Sequence, residues 1–162
     1  MADLKEFEQK AADLRVLGMK ISIGQDTVYE KYWDEDCRRN IYSASKSFTS
    51  CAVGFAVQEG LIDLDERLMD AFKEDIPNNP DENLKKATVK DLLTMTLGQE
   101  KGFLMGKQRP RMEEQNWVKA SLAIPFVYEP GTHFVYNNVG PYLAGILVQR
   151  RAGCDLLSYL TP

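Results

Sequence analysis

The chain has 162 residues, of which 44% are hydrophobic and 27% are charged, with 20 lysines and arginines against 24 aspartates and glutamates. This length is enough for one domain with a substantial core, and the composition is that of an ordinary globular protein. The mildly acidic balance excludes a broad nucleic-acid-binding surface, which needs clustered basic residues. The one dense basic stretch, KQRPR at 107–111, is interpreted as a solvated loop.

The first residues, MADLKEFEQKAADLRVLG, carry charges throughout and contain no long apolar run, which is unlike a secretory signal. No stretch of the sequence approaches the roughly 18 consecutive apolar residues that a membrane-spanning helix needs. The sequence therefore predicts a cytoplasmic protein that binds neither a membrane nor a nucleic acid.

The three cysteines, Cys37, Cys51 and Cys154, are widely spaced and form no C-x-x-C pair. The chain has a single histidine, His133, so this set argues against a zinc site and against a disulfide scaffold. We expect reduced thiols, two of them packed on helices, and neither a metal nor another cofactor.

The first forty residues are predicted to form a helix and a hairpin. Apolar residues recur at steps of three and four in 3–16, which indicates a helix. In 18–33 they alternate around a GQD turn, which predicts two antiparallel strands. Because two strands alone make a weak sheet, either helices cover this hairpin or the strands that complete its sheet are absent from the chain.

A longer helix is predicted from the stretch SASKSFTS, residues 43–50, onward. At ~3.6 residues per turn it makes about four turns and stops at Gly60. Its apolar stripe predicts a buried helix and consists of Phe48, Ala52, Phe55 and Ala56.

The rest of the chain is predicted to be mostly helical. TVKDLLTMTLG indicates a short helix with Thr88 as its N-cap, Asp91 three residues later and Gly98 as its end. VGPYLAGILVQRRAG indicates an apolar helix that ends at Gly153. The remaining predictions are shorter helices within 61–72, 112–123 and 154–162, loops at 76–87 and 99–112, the second of them on the surface, and a turn with a short extended piece in 128–138.

The spacing of Ser43 and Lys46 has two interpretations. Serines favour helix N-caps and an exposed lysine is ordinarily solvated, so S-x-x-K often occurs by chance. Alternatively, Ser43 and Lys46 share one helix face and form a nucleophile with its base. The positive end of the helix dipole would then stabilise the oxyanion that forms when Ser43 attacks a carbonyl.

A second candidate lies in HFVYNNVG, where Tyr136 and Asn138 form Y-x-N. A tyrosine on a loop can relay a proton near a lysine, and an asparagine can bind a lysine or a substrate amide. The alternative is that Tyr136 is a half-buried aromatic residue and Asn138 an N-cap. His133 lies three residues before Tyr136, but nothing marks it as the base of a Ser-His-Asp triad. A structural histidine is the better interpretation.

Taken together, these stretches resemble the serine β-lactamase and penicillin-binding-protein superfamily, in particular its class C β-lactamase, D-alanyl-D-alanine-peptidase and carboxylesterase-like branch. The resemblance joins S-x-x-K, EGLIDLDE, DLLT and PGT-x-F-x-Y-x-N in one order, from about residue 18 to the end. It implies that Ser43 is the acylated nucleophile and Lys46 its base. Tyr136 becomes the second proton-transfer group and Asn138 a contact for lysine and substrate. The Ser43 N–H is expected to be one oxyanion donor.

The sequence departs from the family in two places. LLTMTLG has Met95 and Leu97 where many members have histidine and serine, which affects local packing and none of the site residues named above. The chain also stops at Pro162, before the family's K-T-G or H-x-G strand, which supplies a second oxyanion N–H and part of the cleft.

The resemblance implies an α+β, β-lactamase/transpeptidase-like fold whose C-terminal sheet strands are absent from this chain. We expect residues 1–162 to be one truncated domain, with the helix and hairpin in 1–35 and the mostly helical region in 36–162. The implied function is a serine hydrolase that acts through an acyl-enzyme on a small ester, amide or β-lactam. The alternative is an incomplete family member that binds without turnover. We expect a downstream segment or a second polypeptide to complete the sheet, or the chain to self-associate through the exposed edge.

Overall fold

The computed structural model describes residues 4–35 and 37–161. Within them the chain divides into two compact units, one ending at Asn40 and one beginning at Ile41. No helix in the described part of the chain is both long and apolar enough to cross a bilayer.

The first unit contains helix α1 (Lys5–Asp13) and an antiparallel hairpin of β1 (Gly18–Ile23) and β2 (Asp26–Tyr32). Gly24 makes the turn with a φ of 61°, a left-handed conformation that glycine adopts without a steric penalty. The carboxylate of Glu8 on α1 binds the hairpin, since it accepts a hydrogen bond from Tyr29 Oη at 2.7 Å and pairs with Lys31. The predicted helix and hairpin are therefore confirmed, with α1 shorter than 3–16.

The second unit is helical. Its helices are α2 (Ser45–Gln58), α3 (Leu68–Ala71), α4 (Glu82–Lys86), α5 (Val89–Thr94), α6 (Trp117–Leu122), α7 (Val139–Ala152) and α8 (Leu156–Leu160). The two longest, α2 and α7, pack against each other, and α5 packs against α7. Helix α7 lies at the centre of the core, and its fully buried apolar residues are Val139, Leu143, Ala144, Leu147 and Val148.

Helix α5 begins as the sequence predicts and ends earlier. Thr88 is its N-cap, and the Asp91 carboxylate accepts hydrogen bonds from the Thr88 N–H and hydroxyl, both at 2.9 Å. The helix ends at Thr94 and does not reach Gly98, because the next residue, Met95, has a left-handed φ of 56°. Gly98 instead lies against the Tyr128 carbonyl, where a Cβ would overlap the oxygen. Leu97, at the family's serine position, is buried in the core.

Four local predictions were wrong. Helix α4 lies within the predicted loop 76–87, because Asp81 caps it by accepting from Leu84 N at 2.8 Å. Helix α6 starts after Asn116 rather than at Met112, because the Asn116 side chain accepts from the first free N–H groups. The predicted extended piece in 128–138 contains no strand. The predicted surface loop 99–112 buries two of its side chains, Gln99 and Leu104.

The prediction of a buried helix after residue 43 is only half right. One face of α2 is in the core through Ala52, Val53 and Ala56, whereas Phe48 and Phe55 are 57% and 52% exposed. The helix ends where the sequence predicts, with Gly60 following at a φ of 73°. Two of the three cysteines were expected to pack on helices, but all three are free and exposed: Cys37, Cys51 and Cys154.

Candidate active site

Ser43, Lys46 and Tyr136 come together at the start of α2. Ser43 lies in a short 3-10 turn, Tyr42–Ala44, that runs directly into α2, and Lys46 is in the first turn of that helix. Lys46 Nζ donates to Ser43 Oγ at 3.1 Å, and Tyr136 Oη donates to the same oxygen at 2.6 Å. Lys46 Nζ also lies 5.1 Å from the centre of the Tyr136 ring. The structure thus joins two motifs that are 93 residues apart, while the roles of the three residues remain predictions.

The backbone before Ser43 is strained. Tyr42 has a φ of 46°, and the left-handed conformation costs a non-glycine residue roughly 1–2 kcal/mol. The strain is held by two hydrogen bonds, from Ser45 Oγ to the Tyr42 carbonyl at 2.6 Å and from Ala44 N to the Ile41 carbonyl at 3.1 Å. Backbone strain of this kind concentrates at functional sites. Sequence reasoning missed it, because tyrosine gives no signal for a positive φ.

Tyr136 is carried by the segment between α6 and α7, which is neither helix nor strand around this residue. Val135 N donates to the Met95 carbonyl at 3.0 Å, so the end of α5 holds the residue before the tyrosine. On the other side, a Cβ at Gly102 would lie 2.6 Å from the Tyr136 carbonyl oxygen. The tyrosine backbone is therefore placed by the chain that follows α5, which also explains why Gly102 carries no side chain.

The neighbours of Tyr136 perturb its pKa. The hydrogen bond with Ser43 lowers the pKa of Tyr136 from its usual value, and the Lys46 ammonium lowers it further. The physical reason is that, once Tyr136 is ionised, the Ser43 hydroxyl and Lys46 can donate to the phenolate, and the positive charge of the lysine stabilises it as well. A phenol with a lowered pKa is a better general acid and base near neutral pH than an ordinary phenol is.

Asn138 does not make the predicted contact with Lys46. Its side-chain amide donates to the Leu104 carbonyl at 3.0 Å, and its backbone N–H donates to the Phe103 carbonyl at 3.2 Å. It occupies the N-cap position of α7, but its side chain does not cap the helix. The side chain that accepts a hydrogen bond from the first turn of α7, from Gly140 N, belongs to the preceding residue, Asn137. The Y-x-N pattern does not specify that residue. A substrate contact for Asn138 remains a prediction.

His133 makes only local contacts within the described chain. Its ring stacks on Tyr128 with centroids 4.2 Å apart, and Nδ1 lies 2.7 Å from the Thr132 hydroxyl. These contacts agree with a structural histidine and give it no link to Ser43.

The cluster is open to solvent. Ser43 and Tyr136 are exposed and Lys46 is half-buried. Two cavities of about 450 and 400 Å³ lie elsewhere, lined by residues between 103 and 120 and by residues between 115 and 150. In residues 4–35 and 37–161, no group of three or more histidine, cysteine, aspartate or glutamate side chains is placed to hold a metal ion.

The chain has known relatives in sequence and in fold. Residues 5–161 match the family model named Beta-lactamase, and the chain belongs to that family. The fold is β-lactamase/transpeptidase-like, here with a two-stranded hairpin and helices. The resemblance inferred from the sequence is thereby confirmed at the level of family and fold.

Individual relatives support the same assignment. The chain is 31% identical over 147 residues to monacolin J acid methylbutanoyltransferase of Aspergillus terreus, a match that covers 78% of this chain and 35% of the relative. The octameric penicillin-binding protein homologue from Pyrococcus abyssi superposes with a TM-score of 0.72 at 24% identity, over 96% of this chain and 40% of that one. A class C β-lactamase superposes with a TM-score of 0.71 at 18% identity, over 93% and 43%. The chain thus spans about a third of the curated relative and less than half of the solved structures.

Proposed function

We propose that the chain carries the acylation site of a serine hydrolase or acyltransferase, with Ser43 as the nucleophile. The observation that carries this proposal is the shared hydrogen bonding of Ser43 Oγ, which accepts from Lys46 at 3.1 Å and from Tyr136 at 2.6 Å. A serine hydroxyl is a weak nucleophile until a nearby base removes its proton. Two titratable groups within hydrogen-bonding distance of one serine are therefore the expected arrangement for acyl transfer.

In the proposed reaction, Ser43 Oγ attacks the carbonyl carbon of an ester or amide and gives its proton to Lys46 in the neutral amine form. The carbonyl oxygen becomes an oxyanion, which the Ser43 N–H and the N-terminal dipole of α2 stabilise. Collapse of the tetrahedral intermediate breaks the bond to the leaving group, which takes a proton from Tyr136, and Lys46 reprotonates the phenolate. The product is an acyl group esterified to Ser43.

The acyl-enzyme then reacts with an acceptor. Water gives a hydrolase of the esterase, peptidase or β-lactamase type, whereas an alcohol gives an acyltransferase. The relationship to a protein named methylbutanoyltransferase favours an acceptor other than water as the second candidate. Both outcomes use the same first step, so the acylation of Ser43 is the part to test first.

We further infer that turnover needs a downstream segment or a second polypeptide. The relatives are more than twice the matched length, and Phe48 and Phe55 leave an apolar face of α2 exposed. The resemblance assigns the second oxyanion donor to a strand outside residues 1–162, and removal of one such donor lowers turnover by roughly 100- to 1,000-fold. The 162-residue chain is therefore expected to acylate slowly and to turn over very little.

The test is covalent labelling with a fluorophosphonate, followed by intact mass and peptide mapping. Ser43 Oγ displaces fluoride, so the protein gains the mass of one phosphonyl group on the peptide that contains Ser43. Ser43→Ala should abolish the labelling, and Lys46→Ala should slow it by about 100-fold or more because the base is lost. Ser47→Ala is the matched control, since Ser47 is an exposed serine of the same helix with no lysine three residues later.

Two results would contradict the proposal. Native labelling rates in Lys46→Ala would exclude the lysine as base. No labelling of Ser43, even after a downstream segment from a longer relative is fused to residue 162, would favour a family member that binds without turnover. Hydrolysis of a chromogenic ester, measured with and without that segment, tests separately whether the chain needs completion.

A further inference from the structure

Tyr136 has to be held within hydrogen-bonding distance of Ser43, yet regular secondary structure does not hold it. The residue lies between α6 and α7 and is 44% exposed, so side-chain packing fixes it only in part. Its hydroxyl nevertheless lies 2.6 Å from Ser43 Oγ. A contact of a neighbouring residue must therefore fix the direction in which the tyrosine side chain points from the backbone.

Asn137, the next residue, is 1% exposed and bridges the two sides of Tyr136. Its Nδ2 donates to the Val135 carbonyl at 2.8 Å, on the residue before the tyrosine. Its Oδ1 accepts from Gly140 N at 2.9 Å, in the first turn of α7. The side chain thus ties the backbone on the N-terminal side of Tyr136 to the start of a helix at the centre of the core.

Only a side chain with one donor and one acceptor can form this bridge. Asparagine offers an amide donor and a carbonyl acceptor on one short arm, whereas alanine offers neither and ionised aspartate only acceptors. In an alanine variant the Val135 carbonyl and the Gly140 N–H would lose these partners. Because Asn137 and Gly140 are buried, water does not readily take the place of the lost side chain.

We propose that Asn137 is the positioning residue that holds Tyr136 against Ser43. It touches neither Ser43 nor Lys46 in the structure, and it acts through the backbone of the tyrosine. The proposal rests on the proposed function only for its catalytic consequence, because the geometry it describes exists whether or not Ser43 is acylated.

A measurable property of Tyr136 reports on this positioning. Its pKa is lowered by contact with Ser43 and then by Lys46, so the shift depends on the tyrosine remaining in place. If the Asn137 bridge is removed, the hydroxyl moves away from both groups and the pKa rises toward its ordinary value of 10.0. A change that only weakens the fold, without moving the tyrosine, leaves this pKa lowered.

The experiment uses the full 162-residue chain with ring-¹³C-labelled tyrosine, and the Tyr136 resonance is assigned with Tyr136→Phe. We expect Asn137→Ala to raise the pKa of Tyr136 to its ordinary value and to slow fluorophosphonate labelling of Ser43 by roughly 10- to 100-fold, since small misplacements of a reacting group have effects of that size. Asn83→Ala is the matched control, because Asn83 Nδ2 also donates to a backbone carbonyl, that of Phe126 at 2.7 Å, away from Tyr136. It should lower Tm without changing the pKa of Tyr136 or the labelling rate.

Several results would overturn the positioning role. One is a folded Asn137→Ala protein that keeps both the lowered pKa and the native labelling rate. Another is an Asn83→Ala protein that shows the same changes as Asn137→Ala. If Asn137→Ala does not fold, Asn137→Asp keeps an acceptor for Gly140 and removes the donor to Val135. If neither folds, the role of Asn137 is structural. A wild-type chain whose Tyr136 pKa is lowered, but whose Ser43 is not labelled even after the downstream segment is fused to residue 162, would retain the positioning role and reject the proposed function.

Discussion

The two 14-residue helices of the second unit, α2 and α7, differ in how much of their apolar surface is covered. Helix α7 buries seven residues, from Val139 to Val148, and its polar residues come in the last turn. Helix α2 buries three, Ala52, Val53 and Ala56, and exposes Phe48 and Phe55. A helix that is apolar on most sides is ordinarily buried on most sides. Within the second unit, the apolar surface of α7 is therefore largely covered, whereas part of that of α2 is not.

This difference concerns function, because each helix begins at one part of the proposed site. Ser43 and Lys46 belong to the start of α2, and Tyr136 precedes α7 by three residues. The well-packed helix anchors the tyrosine, and the partly covered helix carries the nucleophile. We therefore expect the position of the tyrosine to be set within the second unit, whereas the environment of the serine depends on what covers α2 beyond that unit.

The largest expected contrast between the two helices is in core substitutions. Leu143→Ala in α7 removes a fully buried side chain and should lower the free energy of unfolding by about 2–5 kcal/mol. Phe55→Ala in α2 should cost less than about 1 kcal/mol, because half of the ring is already exposed to water. Urea denaturation of the two variants at equal concentration measures both values. A Phe55→Ala cost as large as that of Leu143→Ala would mean that the exposed face is covered in solution, and the comparison would fail.

A smaller contrast is expected at two glycines, one in each helix. A Cβ at Gly140 would overlap the carbonyl oxygen of Leu92, whereas a Cβ at Gly54 meets nothing within 4 Å. Gly140→Ala should therefore destabilise the chain by about 1–3 kcal/mol through overpacking. Gly54→Ala should stabilise it by about 0.4–1 kcal/mol, because alanine restricts the unfolded chain and suits an exposed helix position.

Thermal unfolding of both glycine variants separates these effects by sign. An unchanged or raised Tm for Gly140→Ala would show that α5 and α7 are less tightly packed than the structure has them. A lowered Tm for Gly54→Ala would show that the exposed side of α2 needs the small residue for a contact.

The sequence predicts most of what local chemistry decides. The capping pair Thr88 and Asp91, the hairpin and the end of α7 at Gly153 are all found where their residues indicate. Helix α4 was missed, because its five residues are too few for periodicity and its signal is one cap, Asp81. The early end of α5 was missed because Met95 takes a left-handed conformation that favours glycine or asparagine.

The contacts of the candidate site were harder to predict from the sequence than the helices and strands were. The approach of Tyr136 to Ser43 is a tertiary contact across 93 residues, and only the family resemblance predicted it. Periodicity marked an apolar stripe on α2, but it cannot tell whether another part of a protein covers that stripe. The Y-x-N pattern selected Asn138, while the buried bridge around the tyrosine is formed by Asn137, whose partners are backbone groups that no sequence motif encodes.

The smallest expected effect is a pH dependence at the far end of α2, where α8 supplies part of its cover. Tyr159 on α8 donates a hydrogen bond to Glu59 at 2.7 Å, and this bond to a carboxylate raises the pKa of Tyr159 to about 12. A phenol whose pKa is higher in the folded chain than in the unfolded one contributes stability below pH 10. That contribution is lost as the pH rises from 10 to 12.

Tyr159→Phe should therefore be less stable than wild type at pH 9, and the difference should shrink as the pH approaches 12. Glu59→Gln keeps an acceptor without the charge, so the pKa of Tyr159 in the folded chain should lie closer to 10, and the loss of stability above pH 10 should be smaller and complete at a lower pH. Tm measured at intervals from pH 8 to 12 tests both variants, and a wild-type advantage over Tyr159→Phe that stays constant across that range would show that the bond does not hold α8 to α2.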